Sequence, residues 1–169
     1  VDRQIEQIDE MLHMGIDVLV VTPVDWKSLS QILKKAKEQG VFIVVVDSDL
    51  EEDSLADCTI TSDNYNAGRL VGQCFLEENQ ESDLIVMTHD VAKSGQDRVR
   101  GFLDVVEQRD GVRIVKSINC DGQLEIAMPR MQEVIREGTV FDSVFCLNDL
   151  AAVGVVAALD EYEMAERVK

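Results

Sequence analysis

The sequence predicts an α/β protein built on parallel sheets covered by helices on both faces and divided into two lobes. Stretches with apolar residues at helical spacing alternate with short strand-like runs throughout the chain. The strand-like runs are nearly continuous in Val, Ile and Leu, the pattern of strands buried on both faces. The division rests on residues 58–69, CTITSDNYNAGR, where an apolar strand runs into a polar Ser-Asp-Asn turn and then a helix. This segment reads as a hinge between two lobes, with an ordinary strand-to-helix loop as the alternative that the segment alone leaves open.

The elements follow in order. Ile5, Ile8, Met11 and Leu12 mark a helix that Gly15 can terminate, and residues 17–22 form a buried strand that Pro23 ends. Leu29, Ile32, Leu33 and Ala36 mark a second amphipathic helix closed by Gly40, before an apolar strand at 41–46. Thr59, Ile60 and Thr61 favour extended backbone, and Ser62, Asp63 and Asn64 are good helix N-caps. Ala67, Leu70, Val71 and Phe75 are then expected to form the buried face of a helix. Strands are predicted at 84–88, 112–118 and 143–147, and helices at 96–108, 124–137 and 149–161.

Composition excludes several function classes. With 169 residues and 46% hydrophobic content the chain can bury a real core. No apolar run reaches the roughly 18–20 residues that cross a bilayer, and the acidic, amphipathic start VDRQIEQIDE is unlike a signal peptide, although a cleaved signal would leave no trace. A net charge of −17 without a Lys/Arg cluster argues against nucleic-acid binding by this segment. Cys58, Cys74, Cys120 and Cys146 lack the paired spacing of a zinc or redox site and are expected to be small buried hydrophobes. Their even number leaves a disulfide open, and His13 and His89 have no metal-binding context. No GxSxG elbow, Walker A or GxGxxG motif is present, and no cofactor is implied.

In parallel α/β sheets, ligands bind beyond the carboxyl ends of the strands. The polar residues expected there are Thr22 with Asp25, Asp47 with Ser48 and Asp49, Ser62 with Asp63, His89 with Asp90, Asp121, and Asn148 with Asp149. An acidic, amide-rich rim suits a polyhydroxylated ligand, because carboxylates and amides pair with adjacent hydroxyls and an Arg adds donors. A carboxylate pair hydrolysing a glycoside needs two acids at a defined separation, which spacing alone does not decide.

Five motifs in order, QIDEMLHMGIDVLVVTPVD, GVFIVVVDSD, ITSDNYNAGR, DRVRGF and FCLNDLAAVGVVAAL, resemble the type 1 periplasmic sugar-binding proteins over nearly the whole chain. The ribose-binding proteins are the nearest familiar members, and the effector domain of LacI-type repressors shares the plan. The resemblance implies two Rossmann-like lobes, residues 1–62 and 63–169, joined by a crossover around 61–64 with its hinge at Ser62 and Asp63 and closing on a sugar. It makes Asp47 an acceptor for sugar hydroxyls, Arg98 a donor reaching from its helix, and Asn148 a further amide contact, with Ser62 at the hinge and near the ligand. The duller roles are a loop cap for Asp47, a surface charge for Arg98 and a helix N-cap for Asn148 or Asp149, capping being the expected role of Asp149.

The departures bear on the ligand. Ser48 follows Asp47 where ribose binders place an Arg, Thr22 replaces a frequent Asn, and Gly122 stands where an aromatic often packs on the sugar. The site residues expected are therefore Asp47, Arg98, Asn148, Thr22, Ser48 and Ser62, for a sugar other than ribose. The resemblance also implies that the chain is an internal fragment, truncated at both ends, whose exposed apolar sheet edge favours self-association. The expected partner is a sugar transporter or membrane sensor, with a periplasmic or lipid-anchored extracellular location. The alternative is a cytoplasmic LacI-type regulator, towards which four cysteines lean mildly.

Overall fold

The computed structural model describes residues 1–169, which fall into two units: Val1–Asp63 with Val91–Ser94, and Asn64–Asp90 with Gly95–Lys169. The first contains α1 (Asp2–His13), β1 (Val18–Val21), α2 (Ser30–Glu38), β2 (Phe42–Val46), a 3-10 turn at Asp53–Leu55 that sequence reasoning missed, and β3 (Cys58–Ile60). Its strands are parallel in the order β1-β2-β3, with Val18 beside Phe42 and Val44 beside Cys58. Gly40 ends α2 at φ 80°, and the next residue, Val41, donates its N–H back to the Ala36 carbonyl. That Schellman closure needs the left-handed backbone that glycine adopts without strain.

Alternation along these strands sends Leu19, Val21, Ile43 and Val45 into a core with Ile8, Leu12, Leu29, Leu33 and Ala36 from the helical side. The opposite face is bare. Val18, Val20, Phe42 and Ile60 are each about half exposed, at 53, 65, 49 and 59%. Here the expected cover on both faces fails: α1 and α2 supply one layer, and no other element of this unit lies over the second face. An all-apolar strand signals only that both faces avoid water in some assembly, not that the chain at hand supplies both covers.

The second unit contains α3 (Asn64–Glu78), β4 (Ser82–Thr88), most of α4 (Lys93–Val106), β5 (Val112–Asn119), α5 (Leu124–Arg136), β6 (Ser143–Cys146) and α6 (Asp149–Glu161). Its parallel sheet runs β5-β4-β6, with β4 central and Leu84 to Met87 buried on both faces. Phe102 of α4 stacks on Phe145 of β6, ring centroids 3.8 Å apart, and meets Phe75 of α3 edge-on.

The helices α3 and α4 touch backbone to backbone. A Cβ on Gly68 would lie 1.9 Å from the Arg98 carbonyl oxygen, and one on Gly101 would lie 2.0 Å from that of Tyr65. The buried stripe of α3 is accordingly Asn64, Gly68 and Gly72, while Leu70 and Val71, expected inside, are 57 and 48% exposed. A hydrophobicity pattern points to large apolar residues, whereas this contact selects the smallest ones.

The cysteines also depart from expectation. Cys58 lies on the bare sheet face and Cys74 on the outer side of α3, both exposed; Cys120 is buried and Cys146 partly so. All four are free thiols. Burial pushes the Cys146 thiol up to about 12 and raises that of Cys120, so neither supplies thiolate near neutral pH.

At the amino ends of the second sheet, Asp142 gathers the hydroxyls of Ser82 (2.6 Å) and Ser143 (2.9 Å) and the Asp83 N–H (3.3 Å). Partial burial would raise its pKa, but these three donors and the Lys169 charge outweigh that and hold it below 3.8.

Two consequences can be measured. Gly68→Ala should lower the unfolding free energy by about 1–3 kcal/mol or more, because the added methyl meets backbone that cannot yield. Urea denaturation showing no loss would refute the close crossing. The folded protein also binds the Asp142 proton more weakly than the unfolded chain. Its stabilisation is therefore present above the unfolded pKa and lost as pH falls through the lower folded value. Asp142→Asn should flatten the fall in stability below about pH 4, as read from thermal midpoints across pH.

Candidate ligand-binding site

The polar residues singled out by sequence collect at the carboxyl ends of the strands in each unit, where parallel β/α chains leave side chains free of the ladder. In the first unit these are Thr22 after β1, Asp47 with Ser48 after β2, and Ser62 with Asp63 after β3. Gln4 of α1 shapes the first loop with both ends of its amide. Its Nε2 donates to the Thr22 carbonyl at 2.8 Å and its Oε1 accepts the Val24 N–H at 3.0 Å. Thr22 itself is exposed.

Asp25, expected on the rim from sequence, turns inward on its own loop. Its carboxylate accepts the Lys27 N–H at 2.8 Å and the Ser28 hydroxyl at 2.7 Å, which hold its pKa below the ordinary carboxylate value. It caps the entry to the following segment and is committed there.

Asp47 is exposed and sits at φ 72°, a left-handed conformation rare outside glycine and tolerated by Asp and Asn. Its N–H donates to the Ile60 carbonyl at 2.9 Å and its own carbonyl accepts the Thr61 hydroxyl at 3.2 Å, so β3 pins the turn. The next residue, Ser48, is 2% exposed, and its hydroxyl is the one buried side-chain polar atom without a hydrogen-bond partner. Strained backbone beside an unsatisfied buried hydroxyl is costly for folding alone and recurs at functional sites. Ser62 is exposed and hydrogen-bonded, its carbonyl accepting weakly from Thr61 at 3.4 Å.

In the second unit Arg98 and Asn148 come together. The Arg98 guanidinium, half-buried on α4, donates through Nη1 to the Leu147 carbonyl, the residue before Asn148, at 2.6 Å. Its Nη2 donates to Asn64 Oδ1, also at 2.6 Å. The remaining guanidinium N–H groups are available to an oxygen-rich ligand. Arg98 is thus anchored, not a loose surface charge.

Asn148 serves as the N-cap of α6: its Oδ1 accepts the Ala151 N–H at 2.9 Å, with the extended backbone of a cap (φ −152°, ψ 172°). The expectation that Asp149 caps this helix is therefore corrected by one residue, since Asp149 already has joined the first turn. Asn148 Nδ2 donates to the Gly122 carbonyl at 3.0 Å, which fixes the amide from both ends. The amide still carries a second N–H and a second carbonyl lone pair.

Gly122, at φ 64°, has no room for a side chain. A Cβ there would lie 2.8 Å from Asn148 Nδ2 and 3.3 Å from His89 Nδ1. The half-buried His89 ring and the Asn148 amide therefore face the same spot. Around it, Asn119 Nδ2 donates to Asp121 at 2.9 Å, Asn119 Oδ1 receives the Asp90 N–H at 3.4 Å, and Thr88 donates to Asp90 at 3.0 Å. Sequence reading placed His89 and Asp121 at strand ends but did not see that Gly122 opens the space between His89 and Asn148. Nor did it give Asn64 any role beyond capping, although an Asn four residues before Gly68 on one helix face was a legible signal. No group of three or more His, Cys, Asp and Glu side chains is placed to hold a metal ion, and no helix is long and apolar enough to cross a membrane.

Comparison with known proteins identifies the fold and the family. The chain is 26% identical to the D-ribose/D-allose-binding protein of Pseudomonas aeruginosa, over 98% of its own length and 54% of that protein's. It superposes with a TM-score of 0.90 on an ABC transporter solute-binding protein from Bacillus halodurans C-125 holding myo-inositol, at 22% identity, covering 99% of this chain and 59% of that one. The fructose-binding periplasmic domain of a hybrid two-component system matches with a TM-score of 0.92 and 20% identity, covering 99% and 56%. The chain spans about half the length of the curated relatives it matches. The profile of the periplasmic binding protein domain matches residues 1–169, and the chain belongs to that family.

Proposed function

We propose that the protein binds a monosaccharide-type sugar without transforming it, as the solute-binding part of a sugar ABC transporter or a sugar sensor outside the cytoplasmic membrane, in the periplasm or lipid-anchored. The observation that carries this reading is the anchoring of Arg98 beside Asn148 at the carboxyl end of β6. A guanidinium with spare donors next to an oriented amide matches adjacent hydroxyls on a sugar ring. Within the first unit, Asp47 offers an acceptor and Ser48 an unpaired hydroxyl after β2, with Thr22 and Ser62 following the strands on either side. The lobes, 1–62 and 63–169, would close by rotation about 61–64. Only contacts to both, stronger in the closed form, can drive that closure. The names of the relatives support the ligand class, ribose or allose, myo-inositol and fructose each being a small polyol or sugar.

Titration calorimetry with D-ribose, D-allose, D-fructose and myo-inositol tests the reading. At least one should bind, and prolonged incubation should return it chemically unchanged. Asp47→Ala and Arg98→Ala should each weaken that binding about ten- to a hundredfold, the loss of a charge-assisted hydrogen bond. Unchanged affinity in both variants would remove these residues from the site.

Asn148 needs a separate design, because it also caps α6. Asn148→Ala should cost about 1 kcal/mol of stability, whereas Asn148→Asp should retain the cap and lose the amide donor. Because Asp also sets a carboxylate against the Gly122 carbonyl, the readout is hydrogen exchange at the Ala151 amide: faster exchange in Asn148→Ala with protection kept in Asn148→Asp is expected, and equal exchange in both would argue against the capping bond.

A further inference from the structure

We propose that Asn64 is the positioning residue for Arg98: it aims the guanidinium at the ligand from the first turn after the crossover. The role deepens the sugar-binding reading and rests on it for the purpose of Arg98. The geometry, however, lies wholly within the second unit.

Three observations converge. Asn64 is only 7% exposed, unusual for an amide at a helix start, and its Oδ1 accepts from Arg98 Nη2 at 2.6 Å. Arg98 Nη1 is held at 2.6 Å by the Leu147 carbonyl, so the planar guanidinium is fixed at two of its corners and cannot swing about its long, flexible stem. The third observation is the backbone contact between α3 and α4. Gly68, one turn beyond Asn64, packs against the carbonyl of Arg98 itself, and Gly101, one turn beyond Arg98, packs against that of Tyr65. The two helices are thereby fixed in register, and the Asn64–Arg98 bond forms between parts that do not slide. Without the Asn64 acceptor, one side of the guanidinium would lose its partner in a half-buried place, and the side chain would sample orientations that miss the sugar oxygens.

The tests use Asn64→Ala, Asn64→Ser and Asn64→Asp in the protein, the last keeping an acceptor oxygen. The first readout needs no ligand: the 15N–1H signals of the Arg98 guanidinium. Held at two corners, its Nη groups should give separate signals at low temperature. Asn64→Ala should merge or broaden them, and Asn64→Asp should keep them apart. The second readout is calorimetry with whichever of D-ribose, D-allose, D-fructose or myo-inositol the protein binds. Asn64→Ala should weaken binding about tenfold, Asn64→Asp should recover most of it, and Asn64→Ala should add nothing in an Arg98→Ala background. Unaltered Arg98 signals in both Asn64→Ala and Asn64→Ser overturn the positioning role whether or not sugar binds. Additive losses in the double variant overturn it too. Altered Arg98 signals in a protein that binds none of the four sugars would leave Asn64 as the anchor of Arg98 and count against the sugar reading alone.

Discussion

The second unit depends on one steric constraint, the absence of side chains at Gly68 and Gly101. A methyl group at either would stand about 2 Å from a backbone carbonyl oxygen of the facing helix, at 1.9 and 2.0 Å. Because both glycines are needed for the same crossing, α3 and α4 meet at backbone distance and present Asn64 and Arg98 to one another. Such a contact forgoes the burial of large side chains, which α3 then turns outward as Leu70 and Val71. In return it fixes the helices more rigidly than flexible side chains would, since interiors packed at this density do not deform continuously. The aromatic stack of Phe102 on Phe145 ties the same helix to the sheet, so Arg98 is held relative to the strand end that carries Asn148.

The first unit solves a related problem at Asp47 by strain. A carboxylate in left-handed backbone is tied down by hydrogen bonds from and to β3, while the neighbouring Ser48 hydroxyl stays buried and unpaired. Both features oppose folding. They are tolerated because the Leu19–Ile43–Val45 core beneath them is well packed, and they leave polar capacity for a ligand to satisfy. Asp25, by contrast, spends its carboxylate on its own loop, which explains why two acids at neighbouring strand ends have different chemical prospects.

Much of this was legible beforehand. The helix at 149–161 has the bounds its apolar pattern indicates, and five of the six strands lie within one residue of their apolar runs, while β4 starts two residues early at Ser82. Local propensity and burial agree in those segments, so the pattern suffices. It failed where burial was decided by a neighbour. The small-residue stripe of α3 inverted the expected face, and the bare side of β1-β2-β3 carries apolar residues that pattern alone assigned to a core. Cys58 and Cys74 were misplaced for the same two reasons. The capping residue of α6 shifted from Asp149 to Asn148 because a cap is defined by extended backbone, which composition does not reveal.

The sequence by itself determined the α/β class, the order of elements, and the polar residue types waiting at the strand ends, because these follow from periodicity and local chemistry. Tertiary structure alone decided that Arg98 is clasped between Leu147 and Asn64, that Asn148 is held by Gly122 and by its own helix, and that Ser48 is buried without a partner. The physical reason is distance along the chain: Asn64 and Arg98 are 34 residues apart, and Arg98 and Leu147 are 49. No local pattern encodes a hydrogen bond that exists only after two glycines have brought two helices into contact.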